Sequence, residues 1–158
     1  MAQLLIVYHS RTGGSRQMAE AAATAAREEA PTVLKSAAEA GPTDLLNADG
    51  YIFCAPENLA AIAGVMKDFF DRCYYPVLGQ LEGRPYAQMI CAGSDGENAA
   101  RQIAQLPEDD DWLVPEIVFI TAYDQYAVEA FEQGVADYVL KPAERERLQL
   151  TVARIKKR

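Results

Sequence analysis

Short apolar or β-branched runs alternate with helix-length amphipathic stretches from one end of this chain to the other. The runs are Leu4–His9, Thr32–Ser36, Gly50–Ala55, Tyr86–Ala92, Glu116–Thr121 and Asp137–Leu140. Several are apolar without period-two alternation, the pattern of strands covered on both faces. Strands separated by helical stretches form βα units and therefore predict an α/β protein with a parallel sheet.

The intervening stretches have readable faces. Ser15–Glu29 is Ala-rich, so it has high helix propensity and small side chains that pack closely on a sheet. Met66, Phe69, Phe70 and Cys73 fall at i, i+3, i+4 and i+7 and make one core-facing stripe. Asp124 reads as an N-cap, Ala127, Val128 and Phe131 as a buried face, and Gly134 as the C-terminal stop. A final helix follows Lys141-Pro142, with Glu144 and Glu146 in its first turn and Leu148, Val152 and Ile155 on its buried side. Asp44–Asn47 gives only a weak helix signal.

The 158 residues amount to one domain at roughly 150 residues per domain. Half of them are hydrophobic, enough for a sizeable core. Fifteen Lys and Arg against 23 Asp and Glu leave a charge of −8, which repels phosphate backbones and anionic lipids. Neither nucleic acid nor a membrane is therefore an expected partner. The one basic cluster, Lys156-Lys157-Arg158, reads as a solvated helix end whose cations complement the helix dipole.

Cys54, Cys73 and Cys91 form an odd set without ligand spacing and read as buried reduced thiols of a cytoplasmic protein. The first apolar run is too short for a signal segment and has no basic residue before it. No run approaches the roughly 18 apolar residues of a membrane span.

In a doubly wound sheet, ligands bind beyond the carboxyl ends of the strands, near the point where strand order reverses. The loop His9-Ser10-Arg11-Thr12-Gly13-Gly14-Ser15 runs from a strand straight into a helix N-terminus. Hydroxyls, glycines that expose backbone N–H groups, and the positive end of a helix dipole together make an anion site. The loop has neither the Gly-Lys-Ser/Thr ending of a nucleotide P-loop nor a GxGxxG, so a terminal monophosphate is the expected anion. His9, the only histidine, reads as a local packing or hydrogen-bonding residue.

Three segments, LLIVYHSRTGGS, ADGYIFCAPENLAAIAGVMKDFFDR and YAQMICAGSDGENAARQIA, resemble the first four βα units of flavodoxin-like proteins of the FMN-binding NAD(P)H reductase group. The resemblance covers about residues 3–105. It implies that Ser10, Arg11, Thr12, Gly14 and Ser15 hold the FMN phosphate. It further implies that Pro56, Glu57, Asn58 and Leu59 border the isoalloxazine ring, and that Ala92, Gly93, Ser94, Asp95 and Gly96 form the third flavin loop. Pro56–Gly64 contains no aromatic residue to cover the ring, unlike tight low-potential carriers. Glu57 and Asp95 flank the ring region as solvated loop carboxylates.

From about Leu106, PEIVFITAYDQYAVEAFEQGVADYVLKPAERERLQLTVARIKKR is similar to the last two βα units of a response-regulator receiver domain. The resemblance places Thr121-Ala122 and Lys141-Pro142 at a receiver's phosphorylation site and Tyr138 at its aromatic switch, and implies a cis bond before Pro142. A receiver also needs an acidic pair after the first strand and an acceptor Asp after the third. This chain has His9-Ser10 and Ala55-Pro56-Glu57 in those places. Phosphoryl signalling is therefore not expected, and Thr121 and Lys141 read as structural remnants.

Two families meeting near residues 105–107 fit an engineered or recombined chimera folded as a single domain, 1–158. Charge does not mark the join. Up to Leu106 there are 8 basic and 12 acidic residues, and beyond it 7 and 11, so each side carries −4.

The expected architecture is a flavodoxin-like three-layer α/β/α sandwich with a parallel sheet of six strands in the order 2-1-3-4-5-6. Expected partners are FMN alone, with the protein a monomer or a dimer swapped through Leu106–Pro115. No catalytic side chain and no metal site is nominated. Two outcomes stand side by side: an FMN-binding domain with residual flavin redox activity, and a scaffold with no cofactor and no activity.

Overall fold

The computed structural model describes residues 1–105, 113–121, 137–140 and 144–157. The strands are β1 (Leu4–Tyr8), β2 (Thr32–Ser36), β3 (Gly50–Asn58), β4 (Ala61–Ile62), β5 (Arg84–Ala92), β6 (Leu113–Thr121) and β7 (Asp137–Leu140). The helices are α1 (Gly14–Ala26), α2 (Pro42–Asn47), α3 (Gly64–Val77), α4 (Glu97–Gln105) and α5 (Arg145–Lys157). The expected helix from Asp124 to Gly134, the Lys141-Pro142 bond, and residues 106–112 of the expected swap loop lie outside the described residues.

The sheet runs β2-β1-β3-β5-β6-β7, with β4 hung on β3 off this path. Every neighbouring pair along the path is parallel, and among the described residues only β3–β4 is antiparallel. Strand order reverses at β1, so the crevice between the carboxyl ends of β1 and β3 is the expected ligand position.

Successive strand residues point to opposite faces, and both faces here are covered. Leu5 and Val7 of β1 face a core with Tyr51, Phe53, Ala55, Tyr86 and Ile90, roofed by α2, α3 and α4. Ile6 faces the other side with Cys54, Met89 and Val139, beneath Ala19 and Ala23 of α1 and Leu148 of α5. The result is three layers, α/β/α. The Met66, Phe69, Phe70, Cys73 stripe is fully in the core. Phe53 meets Phe70 edge-on at 4.9 Å between ring centroids, a geometry favoured by ring quadrupoles.

Two arginines secure the outer layer. Arg84 donates to the carbonyls of Leu45, Leu46 and Ala48 at 3.0, 3.1 and 2.6 Å, satisfying the C-terminal end of α2. Arg72 reaches from α3 to the carbonyls of Ala37 and Ala40.

Three expectations shift. Pro56, Glu57 and Asn58, read as a loop, are the end of β3, because Glu57 and Asn58 pair antiparallel with Ile62 and Ala61. The first helix stops at Ala26 rather than Glu29. Cys54 and Cys73 are buried, whereas Cys91 is half-buried; all three are free thiols. No described helix is long and apolar enough to cross a membrane.

Candidate functional site

The loops after β1, β3 and β5 all open at the carboxyl edge of the sheet. Their bases are in register: Tyr8 pairs with Cys54, and Pro56 with Cys91. His9 extends the ladder by donating its N–H to the Cys54 carbonyl at 3.0 Å.

In the first loop, Ser10 Oγ accepts a hydrogen bond from the Gly13 N–H at 3.0 Å, closing a turn that needs the positive φ of 102° at Gly13. Gly13 is the N-cap of α1 and supplies no side-chain cap, and the first turn contains no acidic residue. Ser15 in that turn is 2% exposed, and its hydroxyl has no hydrogen-bond partner. A buried hydroxyl without a partner carries a desolvation cost of about 1–3 kcal/mol, so it points to a ligand atom that would complete it.

Arg11 and Thr12 are exposed beside it. Burial, and secondarily the Arg11 charge, hold the His9 imidazole below its ordinary range. Gly14 rests on Cys91, whose Sγ lies 3.3 Å from where a Cβ at position 14 would stand. The Cys54 thiol, raised by burial, donates to the Ser15 carbonyl at 3.3 Å.

The second loop is a two-residue hairpin turn. Leu59 and Ala60 both have positive φ, 52° and 57°. Such a turn suits the right-handed twist of its strands but favours Asn and Gly, and non-Gly residues there are strained. Leu59 is fully exposed at the tip.

In the third loop Gly96 has φ 70°, and a Cβ there would meet Ile90 Cγ2 at 3.1 Å and Ala92 Cβ at 3.2 Å. Asp95 Oδ1 accepts from the Glu97 N–H at 2.9 Å. Glu57 reaches across from β3: its Oε2 accepts from the Ala99 N–H at 3.1 Å and its Oε1 from Ser94 Oγ at 3.2 Å.

Glu57 and Asp95 are therefore not simply solvated loop carboxylates. Both cap the first turn of α4 and offset the positive end of its dipole. Asn98 donates to the Ala60 carbonyl, and Gln102 Oε1 accepts from the Ile62 N–H at 2.7 Å. Sequence reasoning missed these ties, which join positions about forty residues apart.

The N-termini of α1 and α4 at this edge thus differ. That of α4 is already met by two carboxylates, whereas that of α1 has glycines, hydroxyls and no acid. Of these two N-termini, only that of α1 is without a carboxylate. A separate cleft between β4, the start of α3 and α4, lined by Ala61, Ile62, Gly64, Lys67, Gln102 and Gln105, contains none of the nominated residues. No metal-ligating cluster exists among the described residues. Thr121 pairs with Ala92 and Leu140, which brings the end of β6 to the same edge.

Comparison with known proteins adds independent information. A flavodoxin of Aquifex aeolicus is 36% identical over 108 residues, covering 66% of this chain and 56% of that protein. A response regulatory protein of Vibrio cholerae is 56% identical over 46 residues, 29% of this chain and 19% of its own length. The chain thus spans little more than half of the first relative and about a fifth of the second. Among solved structures, an archaeal flavodoxin superposes with a TM-score of 0.70 at 17% identity, covering 98% of this chain and 94% of that one. A WrbA-like flavodoxin from Agrobacterium tumefaciens gives 0.63 at 18% identity, covering both chains fully. These likenesses establish a flavodoxin-like fold. The sequence model of the family described as NADPH-dependent FMN reductase matches residues 18–108, more than half of the chain. That match begins just past the Ser10–Ser15 loop and takes in the other two. On that match, this chain belongs to the NADPH-dependent FMN reductase family.

Proposed function

We propose that this chain is an FMN-binding domain. Its phosphate site is the N-terminus of α1, with Ser10, Arg11, Thr12, Gly14 and Ser15. The isoalloxazine ring lies between Pro56–Leu59 and Ala92–Gly96.

The observation that carries this proposal is the buried Ser15 hydroxyl, without a partner in the uncapped first turn of α1. A phosphate oxygen completes it, and the dipole of α1 favours the negative charge. The family match and the flavodoxin relative support flavin as the group that brings the phosphate.

Bound FMN supplies the electron- and hydride-transfer chemistry. The chain's own residues hold and orient it. Arg11 offers a cation to the phosphate, the Gly13–Gly14 turn lets backbone N–H groups approach it, and Leu59 offers aliphatic cover where the hairpin lacks an aromatic ring.

The chain also reads as a recombined one, flavodoxin-like over 1–105 and receiver-like over 106–158, folded as one domain. Support comes from its likeness to two differently described kinds of protein over different segments and from the unbroken β5–β6 register, Arg84↔Leu113 through Ala92↔Thr121. All three proposed flavin loops precede the join, and Ala92 of the third is paired across it with Thr121.

Adding FMN to the purified protein tests the proposal. Quenched flavin fluorescence and a structured visible band are expected, with riboflavin, which lacks the phosphate, binding at least tenfold more weakly. An unchanged flavin spectrum would leave the inactive scaffold.

A further inference from the structure

We propose that Glu57 is a positioning residue that locks the two ring-bordering loops to each other through α4, so that they move as one unit. This role rests on the FMN-binding proposal above.

A carboxylate offers only acceptors, and each Glu57 oxygen is matched to one donor. Oε1 takes the Ser94 hydroxyl of the third loop, and Oε2 takes the backbone N–H of Ala99 in the first turn of α4. The residue itself belongs to the β3–β4 hairpin, paired with Ile62. One side chain therefore bridges all three pieces.

The bridge is reinforced on the same helix. Asn98 donates to the Ala60 carbonyl, and Gln102 accepts from the Ile62 N–H. Residues 98, 99 and 102 share one face of α4, so the hairpin lies along that face. A Leu-Ala turn in left-handed conformations is not self-supporting; it persists when its surroundings fix it. Glu57, Asn98 and Gln102 are those surroundings, and they hold Leu59 out at the tip.

The lock explains why a Glu stands in a flavin loop whose ligand carries negative charge. Its charge is directed at the first turn of α4. Loss of the lock frees the hairpin from the third loop and misplaces both walls of the ring site, while the phosphate loop stays intact.

The test compares wild type, Glu57→Ala and Glu57→Gln in two measurements. Hydrogen exchange on the ligand-free proteins reads the lock directly: Glu57→Ala should lose protection over residues 58–63 and 97–100. FMN titration reads its consequence. Glu57→Ala should bind about tenfold or more weakly, with a less structured visible band in the bound flavin.

Glu57→Gln should recover most of both. Its amide oxygen can accept from Ala99 while its NH2 faces the Ser94 hydroxyl, which can reverse to accept. Asn98→Ala, which removes only the tie to Ala60, should shift both readouts less in the same direction and serves if Glu57→Ala does not fold. Wild-type FMN affinity and spectrum in Glu57→Ala or, failing that, in Asn98→Ala would overturn the role. Failure of the wild type to bind FMN would overturn the underlying proposal instead, a result distinct from an indifferent variant.

Discussion

Cys91 lies directly beneath Gly14, its Sγ 3.3 Å from the position a Cβ would take there. The first helical residue after the anion loop therefore sits against the end of β5, and the phosphate loop is supported by the strand that begins the third loop. Gly14→Val should cost about 1–3 kcal/mol of stability by overpacking that contact. Cys91→Ala should relieve much of the loss, and denaturant melts of the two single variants and the double variant measure the coupling.

The Leu59-Ala60 turn holds strain that glycine would release. Ala60→Gly should raise stability by about 0.5–1 kcal/mol, the left-handed penalty removed less the added freedom of the unfolded chain. Urea unfolding checks the sign. Gly96→Ala should do the opposite and lose about 1–3 kcal/mol, since it combines positive φ with a Cβ pressed on Ile90 and Ala92.

Gln88 is a second polar residue out of place, fully buried with neither amide atom hydrogen-bonded. Burial pushes the nearby Tyr86 phenol up to about 12, and the Gln88 amide offsets only part of that rise without forming a full hydrogen bond. Gln88→Met keeps the volume and removes two unpartnered groups. It should stabilise the protein by about 1–3 kcal/mol, read as a raised denaturation midpoint.

His9 reports on the phosphate loop. Its folded-state proton affinity is lowered by burial and by Arg11, so protonation opposes folding. The stability it contributes is complete above about pH 6.5, the unfolded value, and is lost as pH falls through the lower folded value. NMR titration of the imidazole should show a midpoint below 6.5 in the ligand-free protein, rising once an FMN phosphate dianion occupies the adjoining loop.

Strand positions were legible where apolar runs such as Leu4–Tyr8 are buried on both faces, Leu5, Ile6 and Val7 fully so, and burial writes itself into composition. The anion loop was legible because its chemistry is local: a turn, two glycines and hydroxyls within seven residues. The end of β3 was not. Glu57 and Asn58 are polar, and the Leu-Ala turn that returns the chain to β4 lacks the Asn-Gly signal of such hairpins. Nor was the role of Glu57, since its partner Ala99 stands 42 residues further on and only the folded chain brings them together. Ser15 was legible as a member of the anion loop, but that its hydroxyl is buried without a partner shows only in the folded chain.

Ser15→Ala separates ligand binding from folding most directly, because the two effects should have opposite signs. Removing an unpartnered buried hydroxyl should leave the ligand-free protein as stable as wild type or slightly more so. Removing a hydrogen bond to a charged phosphate, worth about 1.5–3 kcal/mol, should weaken FMN binding roughly ten- to a hundredfold. The dissociation constant for FMN, measured side by side on wild type and Ser15→Ala, is the deciding number. Equal constants, or no binding by the wild type, would contradict a phosphate held at the N-terminus of α1.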